Sequence, residues 1–181
     1  TGVFTSPIYA DLVLSGRVDF CATSTIINYM KVGNDPRISK YFSTAASGTN
    51  AGQYVGGAFG LNPTAAQTLS LINPSISVAD GLGYLTDYVE VKFLLAEAAA
   101  RGYSVGDTTA NHFDQAISAS MDHWGVSSAD KALYLSSHNY ASQTGTWKQI
   151  IGNEAWISMF NRGFEAWTFF RRLDNRTYSK T

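Results

Sequence analysis

Few side chains in this sequence carry acid–base or metal chemistry, and none falls in a recognised catalytic spacing. The histidines are His112, His123 and His138. His112 and His123 share one predicted helix but are about 16 Å apart at a rise of about 1.5 Å per residue, too far for one metal ion to bridge. No HExxH pattern and no Ser–His–Asp signature is present. The sequence therefore predicts no catalytic histidine and no metal site.

Paired carboxylates could support glycoside hydrolysis, which needs two carboxyl groups that flank a cleft. Glu90, Glu97, Glu154 and Glu165 all fall in predicted helices. Glu97 and Glu154 lie among apolar residues, where a buried ion pair or a hydrogen-bonded carboxylate is the structural interpretation. We favour that interpretation, so no catalytic residue and no enzymatic activity are predicted.

A glycine-rich segment, GQYVGGAFG, spans residues 52–60. A phosphate-binding loop would need a preceding strand, a following helix and usually a lysine. Here Leu61-Asn62-Pro63 follows, with no lysine. The segment therefore predicts no nucleotide site and no cofactor. The two alternatives are a flexible loop and a loop that presents aromatic side chains to a ligand, since glycines let backbones approach closely.

Aromatic side chains are the candidate ligand contacts, because flat rings stack on sugar faces and a tyrosine adds a hydroxyl. The excursion from Tyr41 to Phe59 is rich in glycine and has no charged residue after Tyr41. We predict ligand contacts at Tyr54, Phe59 and Tyr41, with Tyr54 the best single candidate. The tryptophans lie at core-like helical positions and are predicted to pack: Trp124, Trp147, Trp156 and Trp167.

The composition fits a neutral polar ligand better than an ionic one. Charged residues make up 15% of the chain and the formal net charge is −1. A nucleic-acid-binding protein would carry a basic patch or a high isoelectric point, and a membrane-surface protein a polybasic segment. The single cysteine, Cys21, excludes an intrachain disulfide and is predicted to be an inert buried thiol.

The elements that must position these residues divide the chain near residue 80. All prolines lie in residues 1–80, a segment predicted to be loop-rich with short helix or strand elements. Residues 81–173 contain no proline, which is typical of successive helices. Residues 1–80 and 81–181 are together predicted to be part of one domain.

The first strong helix is predicted over Gly83–Arg101. Its three- and four-residue apolar spacing predicts a packed face of Leu85, Tyr88, Val91, Leu95 and Ala98. Further apolar residues, Val89, Phe93 and Ala96, widen that face and indicate packing on more than one side.

Further helices are predicted from Asp107 or Thr108 to Trp124, over 129–135, over 146–162 and over 164–173. The short first connection predicts an antiparallel helix pair. Trp156 and Phe160 are predicted core residues. The helix–glycine–helix pattern resembles tetratricopeptide-like packing.

The first 80 residues give weaker patterns. A short helix is predicted over 25–30, capped by Ser24. Asn34-Asp35-Pro36-Arg37 is a predicted turn in which Asp35 caps the backbone and Arg37 pairs with a carboxylate or carbonyl elsewhere. Residues 38–42 form a short strand or a helical turn, and residues 43–80 a long irregular excursion.

Several segments resemble the SusD/RagB family. Residues 153–172, NEAWISMFNRGFEAWTFFRR, are similar to its closing signature. Three other segments agree in the same order along the chain: NDPR at 34–37, YVEVKFLLAEAAARG at 88–102 and ASMDHWGV at 119–126. These motifs do not include the family's ligand-binding aromatics, so no site residue is carried over from it.

The resemblance implies a mainly α fold of tetratricopeptide-like helical repeats with a long irregular excursion, the C-terminal part of a SusD-like protein. It implies a Bacteroidetes surface lipoprotein that binds oligosaccharide, or peptide, and partners a TonB-dependent (SusC-like) outer-membrane transporter. Its lipid anchor would lie outside this chain. The alternative is a scaffold or transporter-docking fragment whose ligand site lies in a missing N-terminal part. Neither a cofactor nor a nucleic-acid partner is implied.

Overall fold

The computed structural model describes residues 4–17, 19–60 and 65–173, and within these ranges the regular structure is helical. No β-strand forms among the described residues. The predicted mainly α fold class is confirmed. The helices are α1 (Pro7–Tyr9, continued as a π-helix over Ala10–Leu14), α2 (Ser24–Val32), α3 (Ile38–Tyr41), α4 (Tyr88–Ala100), α5 (Thr109–His123), α6 (Ser128–His138), α7 (Trp147–Ser158) and α8 (Gly163–Arg172).

The chain separates into two compact units, unit 1 (Thr1–Gly83) and unit 2 (Tyr84–Thr181). Short 3-10 turns interrupt the irregular parts at Gly48–Asn50, Ala66–Thr68, Pro74–Ile76 and Tyr140–Ser142. None of the described helices is both long enough and apolar enough to cross a bilayer.

Unit 1 is built around α2 and the turn that follows it. The side chains of Ile27 and Met30, on one side of α2, are buried. Ser24 is its first helical residue rather than its cap; Thr23 precedes the helix, without a side-chain capping bond. Residues 38–41 take the helical alternative, and Phe42 pairs with Ile72 in an isolated β-bridge.

The Asp35–Arg37 turn is a buried ion pair. The Asp35 Oδ1 accepts the Arg37 backbone N–H at 2.9 Å, as the predicted cap requires. The same carboxylate accepts the guanidinium through Nε at 2.9 Å and Nη2 at 2.6 Å. Both side chains are removed from solvent. Asp35, two residues away, is therefore one partner of Arg37; a further partner elsewhere in the chain stays a prediction.

Helices α4, α5, α6 and α7 of unit 2 each begin with a side-chain cap, because the first N–H groups of a helix have no intrahelical acceptor. Asp87 Oδ1 accepts the Glu90 N–H at 2.8 Å at the start of α4. Thr108 and Ser127 cap α5 and α6 in the same way. Thr146 and Gln149 form a reciprocal capping box on α7. These caps explain why the starts of α5, α6 and α7 were predicted within one or two residues. The start of α4 was predicted at Gly83, five residues before the observed start at Tyr88.

The face of α4 that packs in unit 2 is not the predicted one. Val89, Phe93 and Ala96 are buried, whereas Tyr88 and Val91 of the predicted face are exposed. The helix is apolar nearly all round, so the three- and four-residue spacing alone does not determine which face is buried. The residues that were predicted only to widen the face are the core residues.

The C-terminal helices differ from the prediction in three details. The helix predicted over 146–162 ends at Ser158, and Gly163 begins α8 instead of ending α7. The third helix extends to His138. Trp156 and Phe160 are only partly buried, and the buried residues of α7 include Ile150, Ile151 and Ala155. Trp156 and Phe160 are therefore not fully buried, although the prediction required it. Trp156 is partly buried and packs against the core.

Arg162, in the α7–α8 connection, forms ion pairs with acids at the starts of two helices, α4 and α8. Its guanidinium lies between Asp87 (3.1 Å from Nη1) and Glu90, and Nη2 also donates to the Leu85 carbonyl at 3.2 Å. Glu165 lies 4.0 Å from Nε. Burial alone would lower the pKa of Arg162, but the Glu90 hydrogen bond and the charges of Asp87, Glu90 and Glu165 raise it. The network fixes the start of α4 against the α7–α8 connection.

We expect Arg162→Ala to destabilise the protein by about 3–5 kcal/mol, because it leaves Asp87 and Glu90 partly buried without their cation. The matched control is Arg171→Ala on the exposed side of α8, where a substitution should change the free energy of unfolding by at most about 0.5 kcal/mol. Urea unfolding of both variants measures the difference. Equal losses in the two variants would show that the network contributes no special stability.

A second buried-polar contact holds the connection between α6 and α7. Asp114 Oδ1, on α5, accepts the Tyr140 backbone N–H at 2.8 Å. Burial raises the pKa of Asp114, and this hydrogen bond offsets only part of the rise. Because the folded-state pKa lies above the unfolded value, ionisation of Asp114 weakens the fold as pH rises through it.

Asp114→Asn keeps an acceptor oxygen for Tyr140 and removes the ionisable group. We therefore expect the variant to have a higher Tm than the parent at pH 7, and the difference to shrink as pH falls toward the ordinary aspartate pKa of about 3.9. Thermal unfolding at several pH values measures it. Asp114→Ala, which lacks the acceptor, should be less stable than Asp114→Asn. A Tm difference that is constant with pH would contradict this assignment.

Candidate functional site

The excursion in unit 1 is ordered by hydrogen bonds from three segments that are distant in sequence. The Ala22 carbonyl accepts the Gly57 N–H at 2.8 Å, and the Gly57 carbonyl accepts the Ser24 N–H at 2.7 Å. Val55 exchanges two bonds with Ser70, one to its hydroxyl and one from its backbone N–H. The alternative of an unattached flexible loop is therefore not what the structure shows.

Gly56 allows the closest of these backbone contacts. A Cβ at this position would lie 2.3 Å from the Thr23 carbonyl carbon and oxygen and 2.4 Å from the Ser24 nitrogen. Any side chain there would push the excursion away from the start of α2. Gly56 of the glycine-rich segment thus permits a close backbone approach within unit 1; presentation of aromatic side chains to a ligand stays a prediction.

Tyr54 lies immediately before this anchored stretch. The Lys31 Nζ, on α2, donates to the Tyr54 carbonyl at 3.2 Å, which fixes the backbone that carries the ring. The side chain is half-buried, and burial raises the pKa of its hydroxyl. The ordinary tyrosine pKa is about 10, so the hydroxyl stays protonated and can donate a hydrogen bond at neutral pH.

Phe59 and Tyr41 have opposite environments. The Phe59 side chain is 85% exposed, so its ring is open to a ligand. Tyr41 is fully buried and packs edge-on against Phe42, with ring centroids 6.2 Å apart. A buried ring cannot meet a ligand from solvent, so Tyr41 belongs to the core of unit 1. Among the described residues, neither Tyr54 nor Phe59 packs its ring against another aromatic ring.

Unit 2 exposes two aromatic side chains on α8, one of which, Trp167, was predicted to pack in the core. Trp167 is 61% exposed and Phe164 is 87% exposed, on the same side of α8. The Arg171 guanidinium lies 5.9 Å from the centre of the Trp167 ring. The prediction that Trp167 packs in the core is wrong. The sequence signal that could have placed Trp167 on the solvent side of α8 is Arg171, four residues later and on the same side of the helix.

Glu154 and Glu97 have structural partners. The Glu154 carboxylate accepts a hydrogen bond from the Tyr134 hydroxyl at 3.1 Å. The Glu97 carboxylate forms ion pairs with Arg101 at 2.9 Å and with Arg172 at 2.8 Å. Both confirm the structural interpretation of these acids. Across residues 4–17, 19–60 and 65–173, no three histidine, cysteine, aspartate or glutamate side chains are grouped as metal ligands would be.

Comparison with known proteins places the chain in a family context. Residues 1–179 match a family model, SusD-like, described as starch-binding and associating with the outer membrane. The chain matches none of the curated proteins.

Solved structures match the fold across most of the chain. A chitin-binding SusD homolog from Flavobacterium johnsoniae is 29% identical, with a TM-score of 0.75, and the match covers 95% of this chain and 40% of that one. A SusD homolog from Bacteroides vulgatus is 24% identical, with a TM-score of 0.77 over the same shares of the two chains. A chitin-binding protein is 24% identical, with a TM-score of 0.75 over 86% of this chain and 38% of that one. The chain therefore spans about two-fifths of the length of these relatives.

The anchored excursion gives a direct test of its packing. We expect Gly56→Ala to cost about 1–3 kcal/mol or more, because a methyl group must displace backbone atoms at the start of α2. Gly163→Ala is the control, since a Cβ there meets no heavy atom within 4 Å. It should leave stability unchanged or raise it by less than about 1 kcal/mol. Chemical unfolding compares the two, and a tolerated Gly56→Ala would refute the close approach.

Proposed function

This chain belongs to the SusD-like family, and from that premise we propose that it binds an oligosaccharide without chemically altering it. The observation that carries the proposal is the placement of two aromatic side chains, Tyr54 and Phe59, on a hydrogen-bonded, uncharged excursion. Phe59 is open to solvent and Tyr54 is half-buried. An apolar ring and a ring that keeps a hydroxyl suit the carbon and hydroxyl groups of a sugar surface.

The order of the excursion strengthens this proposal. Backbone that is fixed before the ligand arrives reduces the entropy that binding must overcome. The Tyr54 backbone is held by Lys31, and the residues after it are held by Ser70, Ala22 and Ser24. The phenol hydroxyl, protonated at neutral pH, is available as a donor or acceptor to a sugar hydroxyl. Binding thus needs ring stacking and hydrogen bonds, and no acid–base group.

The relatives support a carbohydrate over other neutral ligands. The family description is starch-binding, and the Flavobacterium johnsoniae homolog is described as chitin-binding. We therefore propose a glucose- or N-acetylglucosamine-type oligosaccharide as the ligand class. A peptide ligand, the other class that the SusD/RagB resemblance allows, would carry charged termini, for which the excursion offers no charged residue between Phe42 and Ala79.

The family's association with the outer membrane supports a cell-surface location. We propose that the full protein is a surface-exposed lipoprotein of the outer membrane that delivers its oligosaccharide to a TonB-dependent transporter. In this proposal the helical unit 2 supplies the scaffold.

A second candidate function is that of a scaffold or transporter-docking segment whose ligand site lies outside these 181 residues. One observation favours it: the match covers only 40% of the Flavobacterium johnsoniae relative. Under this alternative the excursion would be structural, and its aromatic side chains would not contribute to affinity.

Substitution of the two rings separates these functions. In the full-length protein we expect Tyr54→Ala and Phe59→Ala each to weaken oligosaccharide binding by more than about 1 kcal/mol, the threshold that marks important interface side chains. Calorimetric titration with starch and chitin oligosaccharides measures the affinity.

The matched control is Tyr103→Ala, a tyrosine that is exposed in the α4–α5 connection of unit 2. It should bind as the parent does. If neither excursion variant changes the affinity while the parent binds tightly, the ligand site lies elsewhere and the scaffold function is favoured.

A further inference from the structure

The hydrogen bond that fixes Tyr54 also brings a positive charge to the proposed ligand contacts. Lys31, on α2, is exposed, and its Nζ donates to the Tyr54 carbonyl at 3.2 Å. A lysine ammonium carries three N–H donors, and this bond uses one of them. Because the carbonyl and the ring belong to one residue, a ligand that stacks on Tyr54 also lies near the ammonium. Salt screens an exposed charge mainly beyond a Debye length, which is about 8 Å at physiological ionic strength.

No carboxylate neutralises this charge in the part of unit 1 that the structure describes. Two acids of the unit are already paired, Asp19 with Arg17 and Asp35 with Arg37, and none of its described acids pairs with Lys31. The excursion adds no charge of its own, since residues 42–79 contain no charged side chain. An anionic group that approaches Tyr54 therefore meets a cation and no carboxylate of the excursion.

The Lys31 ammonium distinguishes anionic from neutral ligands. A hydrogen bond to an ionised acceptor is roughly twice as strong as one between neutral groups. A sugar presents such an acceptor when it carries a sulfate ester or a carboxylate. A peptide could offer its terminal carboxylate to the same ammonium, but its amino terminus would find no acid on the excursion. The charge pattern therefore favours an acidic sugar.

On the basis of the proposed function, we propose that Lys31 is a specificity residue, and that the site prefers oligosaccharides with an anionic substituent over their neutral counterparts. Tyr54 and Phe59 supply the ring contacts that both kinds of ligand share. Lys31 supplies the contact that distinguishes them. The preference is modest, because an ion pair at an exposed position contributes little in water.

The test titrates the full-length protein with matched neutral and anionic ligands. A chitin oligosaccharide is compared with its 6-O-sulfated form, and a starch oligosaccharide with the form oxidised to a carboxylate at C6. Calorimetry gives the ratio of the two dissociation constants in each pair. We expect the anionic member to bind about fivefold more tightly. The preference should shrink at about 1 M salt, where the Debye length is about 3 Å.

Substitution of Lys31 separates its charge from its hold on the Tyr54 backbone. Lys31→Gln removes the charge, so we expect the two members of a pair to bind alike. A residue that merely positioned Tyr54 would weaken both ligands equally and leave the ratio as in the parent. Lys31→Arg keeps the charge and should keep the preference. The matched control is Lys40→Gln on α3, a lysine with no described hydrogen bond to the excursion, which should also keep it.

The outcomes distinguish this preference from the proposed function itself. An anionic preference in either pair that disappears in Lys31→Gln supports the assignment. Equal binding of neutral and anionic ligands by the parent overturns it and leaves the proposed function intact. A preference that persists in Lys31→Gln places the anion at another cation and also overturns it. If the parent binds no member of either pair, the proposed function fails, and the role of Lys31 fails with it.

Discussion

The arrangement of unit 2 depends on one buried guanidinium. Arg162 lies between the α7 and α8 helices in sequence, and its carboxylate partners, Asp87 and Glu90, lie at the start of α4. Asp87 is also the residue that caps α4. The same carboxylate therefore caps the helix and fixes its start against the α7–α8 connection.

Unit 1 is held together by backbone hydrogen bonds between irregular segments, because its described residues form no strand and only short helices. Its irregular backbone must find hydrogen-bond partners without a regular ladder. It does so by bringing residues 21–24, 54–57 and 69–72 together, where Gly56 permits an approach that any Cβ would block. The side chains that we propose as ligand contacts stand at the edge of this arrangement. The positions of Tyr54 and Phe59 thus depend on contacts between segments that are distant in sequence, although the sequence of each segment predicts only a loop.

These two solutions explain what the sequence could and could not predict. Caps such as Thr108 and the Thr146–Gln149 box are local, so the starts of α5 and α7 followed from neighbouring residues. The burial of Tyr41 and the exposure of Trp167 depend on which elements meet, and neither follows from spacing along one segment. Gly56 shows the same limit: its residue type indicated a close approach, but the partner at Thr23, more than thirty residues earlier, is a tertiary contact.

The α4 helix shows that an error of this kind can itself be informative. The spacing of Leu85, Tyr88 and Val91 predicted a packed face, and the structure packs Val89, Phe93 and Ala96 instead. Both patterns are present in the sequence, because neither set contains a charged residue: Glu90 and Lys92 lie between the two faces, and Glu97 is buried in its ion pairs with Arg101 and Arg172. Spacing alone therefore identifies two apolar faces on α4. The contacts of Phe93 with Phe113 and Phe169 determine which of the two faces is buried.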